Sequence, residues 1–332
     1  MTDRCYAVVG MGYWGSNHAR IAAELLDEGL VGSVVLCDTN EDRVSQSAAD
    51  YGVSYTVDYA ELASMGVDAA VVATPTPTHY RVATDLLEDG IDVLVEKPLA
   101  QNSEDAWSIV DTAAENDRVL GVGHIFRYHP ALLELKRRID RGELGQIRYL
   151  STNRFAFRVP REDTGVLFSL AVHDIDVYNF LLGQWPDSIY CKLDSTIRPD
   201  VDETATVLLS YGQATGVINE SWRVPVFGKR RDVTVVGTKR SAYIDYLEDT
   251  VLELYDSEII EEGGVLREWN EGKQRHETDP DEPLRAEVEA FIDACETRTV
   301  PRASGEVGAV TVELLEAAKR SNDLAERVSV ER

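Results

Sequence analysis

A chain of 332 residues with 44 % hydrophobic content is long enough for two domains, each with its own core. Its 59 Asp and Glu against 33 Lys and Arg leave a formal charge of −26, which repels nucleic acid and anionic membrane surfaces. No apolar run reaches the ~18–20 residues of a membrane span, "MTDRCYAVVG" lacks the marks of a signal peptide, and Cys5, Cys37, Cys191 and Cys295 form no C-x-x-C pair, so a cytoplasmic protein without zinc knuckle or redox dithiol is expected.

The first 120 residues alternate short β-branched runs with helical patterns. Strand-like runs are "RCYAVVG", "VGSVVLCD", "VDAAVVATP", "IDVLVEKP" and "RVLGVGH", and helical stretches lie at 14–28, 41–50, 78–89 and 102–116. Such alternation makes β-α-β units and a parallel sheet. Near-continuous apolar strands suit a sheet covered on both faces. The expected fold is therefore α/β, opening with a doubly wound Rossmann domain over 1–122.

Gly10, Gly12 and Gly15 of "YAVVGMGYWGSNHAR" stand in G-x-G-x-x-G spacing between the first strand-like run and a helical pattern, the context a dinucleotide turn needs. Gly10 allows the tight turn, Gly12 lets the backbone approach a pyrophosphate, and Gly15 lets helix and strand pack closely. The helix N-terminus offers free N–H groups and a positive dipole end to the anion. Asp38 closes the next strand-like run. A carboxylate there hydrogen-bonds a ribose diol and repels a 2′-phosphate, which selects NAD over NADP. Further on, "LVEKPLA" ends a strand with Glu96, Lys97 and Pro98, and "GHIFRYHP" follows another. Ligands of open α/β sheets bind beyond the C-terminal ends of strands. Proline bars its predecessor from helical geometry, so Lys97 is expected in an extended turn, able to reach a substrate hydroxyl beside a nicotinamide.

After a helix over 128–140 the pattern changes. Strands at 186–198, 202–211, 214–223, 231–237, 241–246 and 250–256 follow one another at turn spacing. They make a mainly antiparallel sheet in a second α/β domain over 123–332. Polar "HETDPDEP" leads to a helix at 283–297, and a helix at 304–326 closes the chain. "TNRFAFRVPRED" clusters Asn153, Arg154, Arg158 and Arg161. In so acidic a chain these arginines either gather round a bound anion or pair with acids. "VLFSLAVHDIDVYNFLLG" reads as a helix over Val166–Gly183 packed into a core, yet it carries His173, Asp174 and Asp176, with Ser169 one turn before the histidine. Ionisable groups are costly to bury without partners, so these residues serve a site or line a wet face. The i, i+1, i+3 spacing of "HDID" offers few convergent ligands, and no metal is expected. Trp222 of "NESWRVP" stacks on a sugar or fills core, and "FGKRRD" lacks the rest of a phosphate loop.

Taken in order, "GMGYWG", "VVATPTPTHY", "VEKPLA", "GHIFRYHPALLELKRRIDRGELGQI", "AVHDIDVYNFLLG" and "ASGEVGAVTVELLEAAKRS" resemble the Gfo/Idh/MocA oxidoreductases, named for glucose-fructose oxidoreductase and inositol dehydrogenase. The resemblance runs from Arg4 to about Ala325. It implies a second domain whose large open sheet binds substrate and makes a homodimer or homotetramer, the last helix packing back on the Rossmann domain. It implies cofactor contacts by Tyr13, Trp14, Thr74, Pro75, His79, Glu96, Lys97 and Arg127, beside the glycine turn and Asp38. Substrate contacts fall on Tyr128, Arg154, Arg158, Ser169, Asp176 and Trp222, and catalysis on Lys97 and His173. The family's acid, four residues before the histidine, falls on Ser169, which cannot act as a carboxylate base. Asp176, three residues past His173, is expected to orient its ring.

Within the family, "DTGVLFSLAVHDIDVYNFLLG" looks most like UDP-N-acetylglucosamine 3-dehydrogenases. The implied reaction is NAD-dependent oxidation of a ring hydroxyl of a sugar or sugar nucleotide, at C3 of a UDP-N-acetylhexosamine or its uronate. The alternatives are a free polyol or sugar dehydrogenase of the inositol, xylose or glucose type, or a catalytically silent NAD-binding regulator. Only seven bases are lysine, and the acids are spread along the whole chain. Molar salt shrinks the screening length to ~3 Å, so this charge suits a salt-rich, haloarchaeal cytoplasm; the alternative is an ordinary acidic protein.

Overall fold

The computed structural model describes residues 4–162, 164–226, 228–248 and 250–330. Asp163, last of "TNRFAFRVPRED", and Phe227, first of "FGKRRD", lie outside them. The chain divides into two compact units. One comprises the residues up to Ile125 with Leu284–Glu313, the other Phe126–Pro283 with the residues from Leu314.

In the first unit, β1 (Cys5–Val9), β2 (Ser33–Cys37), β3 (Ser54–Thr56), β4 (Ala69–Val72), β5 (Asp92–Val95) and β6 (Leu120–Val122) form a parallel sheet in the order β3-β2-β1-β4-β5-β6. The crossovers are α1 (Tyr13–Asp27), α2 (Glu41–Tyr51), α3 (His79–Glu88) and α4 (Ser103–Glu115). Every residue of β1, β4 and β5 is buried. Alternate side chains enter opposite cores: Ala7, Val9 and Val72 join Leu86, while Tyr6, Val8 and Val71 join Ile21 and Leu25. The strand order reverses between β1 and β4, so the ligand crevice of such a sheet lies beyond their C-terminal ends. β3 is absent from the sequence expectation because "SYT" is mostly exposed and carries no apolar run.

The second unit contains α5 (Pro130–Asp140), β7 (Ile147–Phe155), a π-helical turn at Leu167–Ala171 and α6 (Val172–Leu182). Then follow β8 (Ser188–Asp194), β9 (Thr204–Tyr211), β10 (Ala214–Ser221), β11 (Arg230–Gly237), β12 (Ser241–Asp245), β13 (Val251–Glu262) and β14 (Val265–Glu277). With β15 (Val328–Ser329) they make a nine-stranded sheet, β14-β13-β12-β11-β7-β10-β9-β8-β15. β7 and β10 pair in parallel and the other neighbours antiparallel. β14 was not expected. It is exposed along nearly its whole length, so pairing with β13 holds it without the alternation that burial writes into a sequence.

The closing helices divide between the two units. α7 (Pro283–Thr297) buries Leu284, Val288, Phe291, Ile292 and Cys295 in the core that holds Ile21 and Leu25, which places it in the first unit. α8 (Gly305–Leu324) belongs to that unit through Glu313 and to the second beyond it. Gly305 sits against Leu120 too closely for any side chain. Among the described residues no helix is long and apolar enough to cross a membrane.

α6 is held down by its own tyrosine. The Tyr178 hydroxyl lies 2.9 Å from Thr152 Oγ1 and 2.8 Å from the Val217 carbonyl, and its ring covers Gly216. A Cβ there would stand 2.6 Å from the ring. The helix does not begin as a regular α-helix. Asp202 accepts from Leu167 N through Oδ2 at 2.8 Å and from Val166 N through its carbonyl at 2.9 Å, anchoring the π-helical turn.

Candidate active site

The glycine turn follows β1. Gly10 has φ 95°, and a Cβ on it would lie 2.8 Å from the Ala73 carbonyl oxygen. A Cβ on Gly15 would collide with the Gly10 carbonyl, so α1 and the turn touch through backbone alone. A Cβ on Gly12 would meet nothing within 4 Å. Gly12 is also the N-cap of α1, and no side chain caps the first-turn N–H groups. This open, donor-rich cradle fits a pyrophosphate. Asp38, just past β2, is fixed by accepting from Met11 N at 2.6 Å and Asn40 N at 2.8 Å. Asp38→Ser should narrow the preference for NAD over NADP by about 1–3 kcal/mol. Calorimetric titration of both cofactors measures it; equal binding of the two by wild type would contradict this assignment.

Past β5, Glu96 is 7 % exposed, and its Oε1 lies 3.0 Å from His18 Nε2 on α1. Oε2 accepts from Lys97 N at 3.3 Å. Burial alone would raise this carboxyl, but the His18 hydrogen bond and the charges of His18, Lys97 and His79 bring it below its ordinary value. Glu96 therefore ties the half-buried Lys97 to α1. The Lys97–Pro98 peptide is cis. His79 Nδ1 lies 3.0 Å from the Pro98 carbonyl and Nε2 2.8 Å from the Thr74 carbonyl, strapping the loop after β4 to the Lys97 turn. Burial lowers the His79 imidazole, the two carbonyls and Glu96 offsetting part of that. Pro75 and Tyr13 are exposed, and Trp14 packs half-buried on the core. His18 escaped the sequence reading; only its place on the buried face of α1, three residues after Gly15, marks it.

The second unit sorts the arginines. Arg127 Nε donates to both oxygens of Asp176, at 2.8 and 3.0 Å, and its guanidinium lies 5.2 Å from the Phe180 ring. Asp176 thus holds Arg127, a partner that its helical spacing from His173 does not announce. Arg127 itself is 7 % exposed and built into this pair. Arg154, expected at the substrate, is 3 % exposed. Its Nε meets Asp174 Oδ2 at 2.5 Å, and Phe126 and Tyr246 lie 4.6 and 5.1 Å from its guanidinium carbon. The guanidinium is thus buried beside a carboxylate and between two rings. Arg158 remains exposed, 5.6 Å over the Trp222 ring. Trp222 is buried with Val166, Val201 and Ala205, so it fills core. Among the described residues neither Arg158 nor Arg161 enters an ion pair. Tyr128 is buried. His173 meets the edge of Phe126 at 5.1 Å and is 8 % exposed. Ser169 is buried within the π-helical turn, whose wider winding alters the phase that regular i, i+4 spacing would give it against His173. No spacing pointed to Asp202, which reaches the π-helical turn from the segment before β9.

Residues 4–124 match the model of an oxidoreductase family with an NAD-binding Rossmann fold, and residues 132–243 match the family's C-terminal domain. UDP-N-acetylglucosamine 3-dehydrogenase of Acidithiobacillus ferrooxidans is 30 % identical over 288 residues, 86 % of this chain and 87 % of that protein. The NAD(+)-dependent scyllo-inositol 2-dehydrogenase of Bacillus subtilis is 30 % identical over 259 residues, 74 % of each chain. The crystallised Acidithiobacillus enzyme superposes with a TM-score of 0.83 at 24 % identity over 98 % of this chain and 99 % of that one. Levoglucosan dehydrogenase with NADH and levoglucosan superposes at 0.87, 19 % identity, over 99 % of this chain and 100 % of that one. These superpositions show a shared fold. By sequence over most of its length, the chain belongs to the Gfo/Idh/MocA family of NAD-binding oxidoreductases.

Proposed function

We propose that the protein oxidises the C3 hydroxyl of a UDP-N-acetylhexosamine, or of its uronate, with NAD. The observation that carries this reading is the 288-residue likeness to a UDP-N-acetylglucosamine 3-dehydrogenase. Arg158 and Arg161 support it, as cations outside every ion pair among the described residues of an acidic protein and so open to a diphosphate. Bound NAD supplies the hydride acceptor. Gly10, Gly12 and the first turn of α1 hold its pyrophosphate, Asp38 its ribose diol, and Tyr13, Trp14, Thr74 and Pro75 flank it. Lys97 and His173 assist removal of the hydroxyl proton and steady the alkoxide. Ser169 offers a hydrogen bond where the family resemblance implies an acid.

A second reading, oxidation of a free polyol, rests on the equal identity to an inositol dehydrogenase. NAD reduction screened over UDP-sugars, free sugars and inositols in molar KCl separates the two. Turnover of UDP-N-acetylglucosamine above free N-acetylglucosamine and inositol supports the sugar nucleotide; the reverse order overturns it. Assembly into a homodimer or homotetramer belongs to the same proposal, and sedimentation tests it. So does adaptation to salt: melting in 2 M KCl should come well above melting in 0.1 M, because screening relieves the self-repulsion of a −26 chain. An unchanged or lower melting temperature in 2 M would leave the acidity without this cause.

A further inference from the structure

Three ionisable side chains inside the second unit have no part in the proposed chemistry: Arg154 on β7, Asp174 in the first turn of α6, and Glu220 on β10. β7 and β10 are parallel neighbours, and Glu220 stands beside Arg154 in their register. α6 packs on both strands. Arg154 is 3 % exposed, and Asp174 and Glu220 are fully buried. One guanidinium balances one carboxylate, and Arg154 Nε gives itself to Asp174 Oδ2 at 2.5 Å. Asp174 Oδ1 and both Glu220 oxygens are left without a donor among the described residues. Two ionised carboxylates so placed, away from water, would leave one buried charge unbalanced. A proton on Glu220 removes that charge and supplies the donor that Asp174 Oδ1 lacks.

We propose that Glu220 is a neutral acid in the folded protein, donating its proton to Asp174, and that it is a positioning residue: through Asp174 it fixes the turn of α6 that carries His173. Its link to His173 rests on the proposed function; its protonation does not. The groups facing Glu220 are Asp174 from α6, Arg154 from β7, Asp202 from the segment before β9 and Cys191 from β8. Tyr178 and Tyr246 face Asp174 in turn. Burial first, then Asp174, push the Glu220 carboxyl well above the carboxylate range, with Arg154 opposing. The folded chain then holds a proton that the unfolded chain releases above the ordinary carboxyl value. Stability from this group is full below that value and falls as pH rises toward the raised one, the unfolding constant growing by up to tenfold per pH unit.

Unfolding of the full chain, Glu220→Gln and Glu220→Met, followed against pH in molar KCl, reads the proton. Neither replacement can ionise. Wild type should lose stability relative to both above about pH 4.5, by up to tenfold in the unfolding constant per pH unit. Curves that stay parallel for all three proteins would overturn the neutral acid, and either variant alone suffices if the other fails to fold. Gln keeps a donor for Asp174 and Met does not. Glu220→Gln should therefore turn over within about threefold of wild type, and Glu220→Met at least tenfold more slowly, with KM for NAD unchanged in both. Equal turnover by the two variants would overturn the positioning role. Absence of turnover in wild type would count against the proposed function and leave the melts to decide on the proton.

Discussion

Lys97→Ala and His173→Ala are each expected to lower turnover by ~10²–10⁴-fold while leaving NAD affinity nearly intact. The two groups are asked to move a proton, and cofactor binding falls to the glycine turn and Asp38. Ser169→Ala should do far less, because a neutral hydroxyl supplies one hydrogen bond, ~0.5–1.5 kcal/mol. Steady-state kinetics on a verified substrate, with NAD binding followed by fluorescence, separate these effects. Full turnover by His173→Ala would make the histidine a packing residue, held by Phe126 for the core's sake. Ser169→Asp adds a further reading: a gain in rate means a site weakened by loss of its acid, a drop means a pocket rebuilt around serine.

The arginines should divide sharply. Arg154→Met removes the cation that faces Asp174 and Glu220, and breaking a buried pair typically costs 3–5 kcal/mol. For a unit of this size that lowers melting by about 10 °C or more. Arg158→Ala should leave the melting temperature within a degree or two, since it loses only an exposed contact with Trp222. It should instead raise KM for a UDP-sugar by about tenfold or more, the scale of a charge-assisted hydrogen bond. Thermal melts and kinetics on the same two variants decide the matter. Similar melting of both proteins would contradict the division of roles drawn here.

What could be read from sequence was what is local. Gly10, Gly12, Gly15 and Asp38 lie within one β-α-β unit, and the apolar runs of β1, β4 and β5 announce a buried parallel sheet. Partner choice could not be read. Arg127 finds Asp176 across 49 residues and Arg154 finds Asp174 across 20, each through tertiary packing. Helical spacing pointed from Asp176 to His173, three residues away, and gave no sign of Arg127, which donates to both its oxygens. The π-helical turn was hidden for a similar reason: Asp202, anchoring Val166 and Leu167, arrives from beyond β8. The amphipathic pattern of α7 declares a buried face but not which of two cores receives it.

The most direct test of the account follows a single atom. UDP-N-acetylglucosamine carrying deuterium at C3 is incubated with the enzyme and NAD in molar KCl, and the nicotinamide is examined by mass spectrometry. The account predicts that deuterium appears on the reduced cofactor and that the sugar product carries a carbonyl at C3. Reduced cofactor without deuterium, or deuterium passed only from a labelled inositol, would contradict it.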